Sequence, residues 1–433
     1  MAPVLSLCMI VRDEAELLPR CLESVRGVVD EIVVVDTGSR DATPAIARAH
    51  GATVASFAWC DDFGAARNAS LERATGDWIL VMDADEVLTP GSGALLRAAL
   101  LGEHGAYTLE LENATDGDEG QTLRLLRLFR NHPAIRFEGR VHEQVTSSLE
   151  RLGLTTGACA ARLWHDGYLK ERMALRSKHA RNLSLLEAMR AEEPRNPYVA
   201  YHLGKTLMAV ERHEEAEQAF AAALELLAAE PRPERVPYYP TLYLLQAALV
   251  ERRDGPEAAH ALVQEGLRRL PEAAKLWLEA GRLLRALGRL DAALDAFARS
   301  FELAEVDPAP ELARVPERAA TGAAEVLMAL GRQAEALECL IQATEVAPPA
   351  AYEPWLRLAV ALLQAGRLAE ARAAYEAVVA RNPAESSAQL ALATLYFETA
   401  EYPRALSALQ AVEAASPGRP DVAFLMEQCR LLS

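Results

Sequence analysis

Six segments in the second half of the chain repeat one another in phase, and that periodicity constrains everything after about residue 196. Aligned on their last alanine, VERHEEA, ERRDGPEA, LGRLDAA, LGRQAEA, AGRLAEA and TAEYPRA place Ala216, Ala258, Ala293, Ala336, Ala371 and Ala405 at steps of 42, 35, 43, 35 and 34 residues. A small residue at this spacing, with a bulky one a helix earlier (Trp277, Trp355), marks a repeated helix–turn–helix unit. The two long steps hold proline-rich inserts, PRPERVPYYP at 231–240 and DPAPELARVP at 307–316, which lengthen loops without breaking the array. A single helix pair cannot bury its apolar face, so stacked neighbours must supply the core.

The first part of the chain has a different period. Residues 31–35 (EIVVV) and 78–82 (WILVM) have the uninterrupted apolar pattern of buried strands, 4–11 is a short apolar run with a β-branched end, and 53–57 is strand-like. Helical patterns lie between them at 15–25, 43–50 and 68–74, the second with Pro44 in its first turn and Asp41 placed to cap it. This alternation predicts a mostly parallel, Rossmann-like sheet covered by helices. Residues 106–112 and 121–129 are read as further strands, 141–145 as another, and the chain turns helical from about 170. The predicted division is an α/β domain over 1–185 and an all-α repeat domain over 186–433.

In parallel α/β sheets ligands bind beyond the carboxyl ends of the strands. Three acidic sets fall there: Arg12-Asp13-Glu14, Asp36 with the following Thr37–Thr43 stretch, and Asp83-Ala84-Asp85-Glu86. Carboxylates crowded on one edge need a compensating cation or donor. A divalent ion is the simplest, and hard carboxylate oxygens suit Mg²⁺ or Mn²⁺. The bland readings are structural: Asp41 as a helix cap, Glu86 favouring the next helix N-terminus, and His142 and His165 as satisfied core histidines. Trp59, Phe63 and Trp78 read as core or pocket wall. Arg124, Arg127, Arg130, Arg136 and Arg140 form a local basic excess, suited either to an anion or to a solvated face.

The stretches SLCMIVRDEAELLPRCLESV, DEIVVVDTGSRDAT and FGAARNASLERATGDWILVMDADE, in that order, resemble the family 2 inverting glycosyltransferases of GT-A fold. The likeness continues through RLFRNHPAIRFEGRVHEQV and WHDGYLKERMALRSKHARNLSLL, covering roughly residues 1–185. It is strongest to the bacterial branch of lipopolysaccharide-core glucosyltransferases and sublancin-type peptide S-glycosyltransferases, in which a repeat array also follows. The repeats resemble tetratricopeptide repeats. The resemblance implies that Arg12, Asp13, Asp36 and Arg67 line a nucleotide-sugar site, with a UDP-sugar favoured. Asp83 and Ala84 would meet the ribose, and Asp83, Asp85 and His165 the metal. Glu143 would be the base that takes the acceptor's proton, with Glu86 and Asp166 as weaker candidates. The sequence departs from the family in having His142-Glu143 where an acidic Glu-Asp pair is usual.

The functional expectation is a metal-dependent transfer of sugar, with inversion, to a protein or peptide presented by the repeats. Deleting residues from about 190 onward is then expected to abolish acceptor use and to spare donor hydrolysis. The alternatives are a lipopolysaccharide or other glycan acceptor, repeats that drive homodimerisation, and a non-catalytic adaptor with a relic nucleotide domain. A nucleotidyltransferase would need a glycine-rich phosphate loop after the first strand, where this chain has VRDEAELLPR. A net charge of −17 repels nucleic acid and anionic membranes. Six scattered cysteines form no CxxC pair, and no run reaches membrane-spanning length, so a cytoplasmic enzyme is the default expectation.

Overall fold

A computed structural model of the 433-residue chain describes residues 2–113, 122–165, 171–233, 236–306 and 312–433, without the side chains of 113, 122 and 171–178. The chain folds into two compact units, Met1–Pro233 and Glu234–Ser433. The expected boundary at 185/186 falls inside a helix, Glu171–Glu192.

The first unit is built on β1 (Leu5–Val11), α1 (Leu18–Ser24), β2 (Glu31–Asp36), α2 (Thr43–Ala49), β3 (Thr53–Ser56), α3 (Phe63–Leu71) and β4 (Trp78–Val81). It continues through β5 (Glu86–Leu88), α4 (Ser92–Ala99), β6 (Ala106–Asn113), β7 (Thr122–Arg130), α5 (Thr146–Arg151), β8 (Thr156–His165) and α6 (Glu171–Glu192). All eight strands form one sheet in the order β3-β2-β1-β4-β7-β6-β8-β5. The first four are mutually parallel, which places the ends of β1, β2 and β4 on one edge. β7 then runs antiparallel to β4 and β6, and β5 antiparallel to β8. The β-branched run of β2 is buried on both faces, as its lack of polar interruption predicts.

Two of the expectations are corrected. Residues 141–145 make no strand: 138 and 144 form an isolated antiparallel bridge that closes a tight loop. Glu86 does not precede a helix but opens β5, and it is fully buried. Asp41 is structural but from one residue before the cap position, which Ala42 occupies without a side-chain cap hydrogen bond; it accepts the Thr43 N–H at 2.9 Å.

Helical pairs follow. α7 (Pro197–Ala209) and α8 (His213–Ala228) complete the first unit. The second holds α9 (Tyr239–Asp254), α10 (Pro256–Arg269), α11 (Ala274–Ala286), α12 (Leu290–Val306), α13 (Val315–Ala329) and α14 (Gln333–Val346). It ends with α15 (Glu353–Gln364), α16 (Leu368–Arg381), α17 (Ser386–Glu398), α18 (Tyr402–Ala415) and α19 (Pro420–Leu432). Each repeat alanine sits on the fourth residue of the second helix of its pair and is fully buried. The second repeat obeys this rule through Ala259, not Ala258, because α10 begins at Pro256. Counted from Ala259, the steps become 43, 34, 43, 35 and 34 residues. Gly204 and Gly281 let the two helices of a pair close up: a Cβ would stand 2.4 Å from Phe220 and 2.7 Å from Phe297 respectively.

Candidate active site

Because β2, β1 and β4 are adjacent and parallel, their carboxyl ends bring all three acidic sets to one edge. The loops after β1 and β2 are stitched together there. Asp13, in the left-handed region at φ 56°, accepts the Arg40 N–H at 2.7 Å, and its own N–H reaches Ser39 Oγ at 3.0 Å. Glu14 N–H donates to Thr43 Oγ1 and Ala15 N–H to Asp41 Oδ2. Asp36, the last residue of β2, is buried and accepts hydrogen bonds from the Ser39 N–H and hydroxyl. Arg12 is half exposed.

The third set is organised by two arginines, the buried Arg67 and the half-buried Arg127. Arg67 on α3 donates from Nε to Glu143 Oε1 at 2.5 Å and from Nη2 to Asp83 Oδ1 at 2.8 Å. Arg127 on β7 donates from Nη2 to Asp83 Oδ2 at 3.2 Å and to Glu86 Oε1. Glu86 Oε2 in turn accepts the Asp83 N–H at 2.9 Å. The result is a chain of alternating charge, Glu143–Arg67–Asp83–Arg127–Glu86. Burial by itself would raise the Asp83 carboxyl, but the two guanidiniums outweigh it and hold it well below the ordinary range. Burial raises Glu86, partly opposed by Arg127. Glu14 is pushed up to about 7 by burial and then by the carboxylates of Asp85 and Asp83.

Asp85 stands outside this chain of pairs. Its Oδ2 lies 3.1 Å from Nε2 of His165, the last residue of β8, and that hydrogen bond raises the imidazole against the opposing effect of burial. Antiparallel pairing of Glu86 with His165 across β5 and β8 fixes the approach. Asp83 thus has its compensating cations within the protein, whereas Asp85 meets an imidazole. Asp166 lies outside the described residues.

The basic cluster resolves residue by residue. Arg127 points inward to Asp83 and Glu86, Arg124 pairs with Glu110 at 3.1 Å, and Arg130 stacks on the buried Trp78 ring at 4.2 Å. Arg140 forks onto Glu192 of α6, at distances of 3.1 and 2.6 Å. Sequence reasoning missed β5 and β8 and the role of Arg127. The signal for β8 was present: Cys159, Ala161 and Leu163 alternate inward with period two. It also missed Arg181 of α6, whose guanidinium lies 5.0 Å from the Phe63 ring and whose charge is disfavoured by burial and by Arg12.

The family described as Glycosyl transferase family 2 matches residues 6–143, a span that takes in β1 through Glu143. Tetratricopeptide repeat families match residues 198–226, 247–308, 321–378 and 362–429. The chain belongs to the proteins that join a family 2 glycosyltransferase domain to C-terminal tetratricopeptide repeats. It is 41% identical over 301 residues to a TPR repeat-containing protein of Synechococcus elongatus, covering 67% of this chain and 73% of that one. It is 28% identical over 218 residues to the SPbeta prophage-derived glycosyltransferase SunS of Bacillus subtilis, covering 49% of this chain and 51% of that one. An uncharacterized glycosyltransferase of Rickettsia felis is 40% identical over 85 residues, 20% of this chain and 30% of that one. The chain therefore spans about half the length of SunS and less of the Rickettsia protein. Among the described residues no helix is long and apolar enough to cross a membrane.

Proposed function

We propose that this protein transfers a sugar from a nucleotide sugar, with UDP-sugars favoured, to a protein or peptide acceptor engaged by the repeats, with inversion at the anomeric carbon. The observation that carries the reading is the link from Asp83 through Arg67 to Glu143. It ties the aspartate pair after β4 to a carboxylate that family 2 enzymes would use as base. Glu143 Oε1 is taken by Arg67, and Oε2 makes no hydrogen bond among the described residues. We assign Oε2 the acceptor's proton, removed as the acceptor atom bonds to the anomeric carbon and the bond to the leaving diphosphate breaks.

Asp36 and the Asp13 loop are the assigned walls of the nucleoside site, and Arg12 with Arg181 supplies the positive charge suited to a diphosphate. A Mn²⁺ or Mg²⁺ ion fits the remaining donor pair, the hard carboxylate of Asp85 and the imidazole of His165. Among the described residues no three His, Cys, Asp or Glu side chains form a fuller ligand set. When bound, the ion would stabilise the negative charge on the leaving diphosphate. Asp83 and Ala84 then belong to the ribose side.

Calorimetric titration of UDP, UDP-glucose, UDP-N-acetylglucosamine and GDP-mannose, with Mn²⁺ or EDTA, on wild type and Asp85→Ala, tests the reading. Metal-dependent binding of one donor, lost in the variant, supports it and names the donor. No binding of any nucleotide in either condition overturns it and favours the adaptor.

A further inference from the structure

The loop that carries Glu143 is anchored to the first repeat helix as well as to the sheet domain, and all these parts lie in the compact unit Met1–Pro233. On the sheet side, the Asn68 side chain pairs with the Phe137 backbone through hydrogen bonds of 2.9 and 2.8 Å. Phe63 N–H donates to the Arg140 carbonyl at 2.8 Å. The loop closes on itself through reciprocal Glu138–Gln144 backbone hydrogen bonds of 2.9 and 3.0 Å. On the other side stands α7. The Tyr198 hydroxyl donates to the His142 carbonyl at 3.1 Å and accepts from Gln144 Nε2 at 2.7 Å, bracketing Glu143. The His202 ring, one helical turn further on, stacks on the His142 ring with centroids 4.0 Å apart and planes 25° apart.

His142 has φ 56°, a conformation that costs a side-chain-bearing residue roughly 1–2 kcal/mol, so its neighbours must hold it there. The peptide after it carries Glu143. If the loop relaxes, Glu143 leaves Arg67, and with it the alignment to Asp83.

We propose that Tyr198 and His202, residues of the repeat array, are positioning residues for Glu143, so that the first repeat is part of the catalytic machinery. The inference rests on the reading of Glu143 as base. It revises the expectation for a chain cut near 190. Such a cut removes α7, so donor hydrolysis falls together with acceptor use.

The test uses the full chain with Tyr198→Phe, His202→Ala and His202→Phe, beside Glu143→Gln. Two quantities are measured: amide hydrogen exchange by mass spectrometry, and kcat and KM for UDP-glucose hydrolysis or for the donor that titration identifies. Tyr198→Phe and His202→Ala are expected to speed exchange in residues 138–144 and to leave the strands unchanged. They should lower kcat on the order of tenfold with KM for donor nearly constant, while His202→Phe keeps the stack and most of the rate. Unchanged exchange in the loop, or faster exchange throughout the unit, overturns the inference. So does weaker donor binding, seen as a raised KM, with kcat intact. A wild-type protein that hydrolyses no donor counts against the proposed function instead, and loop exchange in the variants still decides whether α7 holds the loop.

Discussion

The edge of the sheet and the turns of the repeats both pair arginine with glutamate or aspartate, and they do so in opposite ways. At the turns of the repeats three pairs are local and solvated, Arg212 with Glu215, Arg332 with Glu335 and Arg367 with Glu370, each three residues apart at the start of a second helix, although other repeat pairs, such as Arg282 with Glu251, join separate helices. At the sheet edge the pairs are non-local, and Arg67–Glu143 and Arg127–Glu86 are largely buried, whereas Asp83 between them keeps partial access to solvent. Arg67 spans 76 residues to reach Glu143 and 16 to reach Asp83. Water solvates the first kind whether or not the partner is present, so those pairs tell little about stability. The largely buried pairs of the second kind have lost most of their water, and removal of one member leaves its partner uncompensated.

That contrast can be broken most directly at Arg67. Arg67→Met leaves Glu143 buried without its cation, although Asp83 keeps Arg127. The expected loss is about 3 kcal/mol in urea unfolding, together with loss of turnover. An unchanged midpoint would mean that the network relaxes at no cost.

A smaller effect comes from the half-buried His202 on α7. Burial, with His142 and Lys205 facing it, pulls His202 down to about 2 from 6.5. Below pH 6.5 the unfolded chain gains a proton that the folded chain refuses, so this contribution is complete above that pH and is lost as pH falls. At pH 5 the loss is about 2 kcal/mol, and His202→Phe should flatten the stability profile between pH 7 and 5. An equally steep profile in the variant would place the acid sensitivity elsewhere.

The turns between paired helices offer a test smaller again. Gly288, Gly331 and Gly366 take φ between 71° and 74°, and Ala400 occupies the same kind of turn at φ 61°. Ala400→Gly should relieve strain worth roughly 1 kcal/mol and raise Tm. A lower Tm would show that glycine's extra freedom in the unfolded chain outweighs that relief. At the bottom of the scale, Arg367→Ala should leave Tm unchanged within error, since Arg367 and Glu370 are both exposed. A clear drop would erase the distinction between the two regions.

What was readable in the sequence follows the same division. The repeats were legible because each helix pair meets the same neighbours, so one packing rule recurs and marks the chain at a fixed period. The single slip, Ala258 for Ala259, arose where Pro256 restarts a helix directly after Gly255. β1, β2 and β4 and the three acidic sets were legible because parallel strands buried on both faces leave uninterrupted apolar runs, with the chemistry at their ends; β3, the half-exposed edge strand, carries a weaker mark. β5 is three residues long, too short to carry a period. The loop of 138–144 imitates a strand in composition, yet two residues with positive φ, Gly139 and His142, fold it back.

The sequence by itself determined the two-part organisation, the parallel half of the sheet, the repeat phase and the residues that crowd the carboxyl edge. Local pattern suffices for these, because each depends on which side of a strand or helix is buried. Only the tertiary structure decided how the charges pair. Arg127 turns inward, Asp83 sits between two guanidiniums, Asp85 faces His165, and Tyr198 and His202 grip the Glu143 loop. Those partners lie tens of residues apart, and a pairing across that distance is set by strand order and helix docking, which leave no periodic mark on the chain.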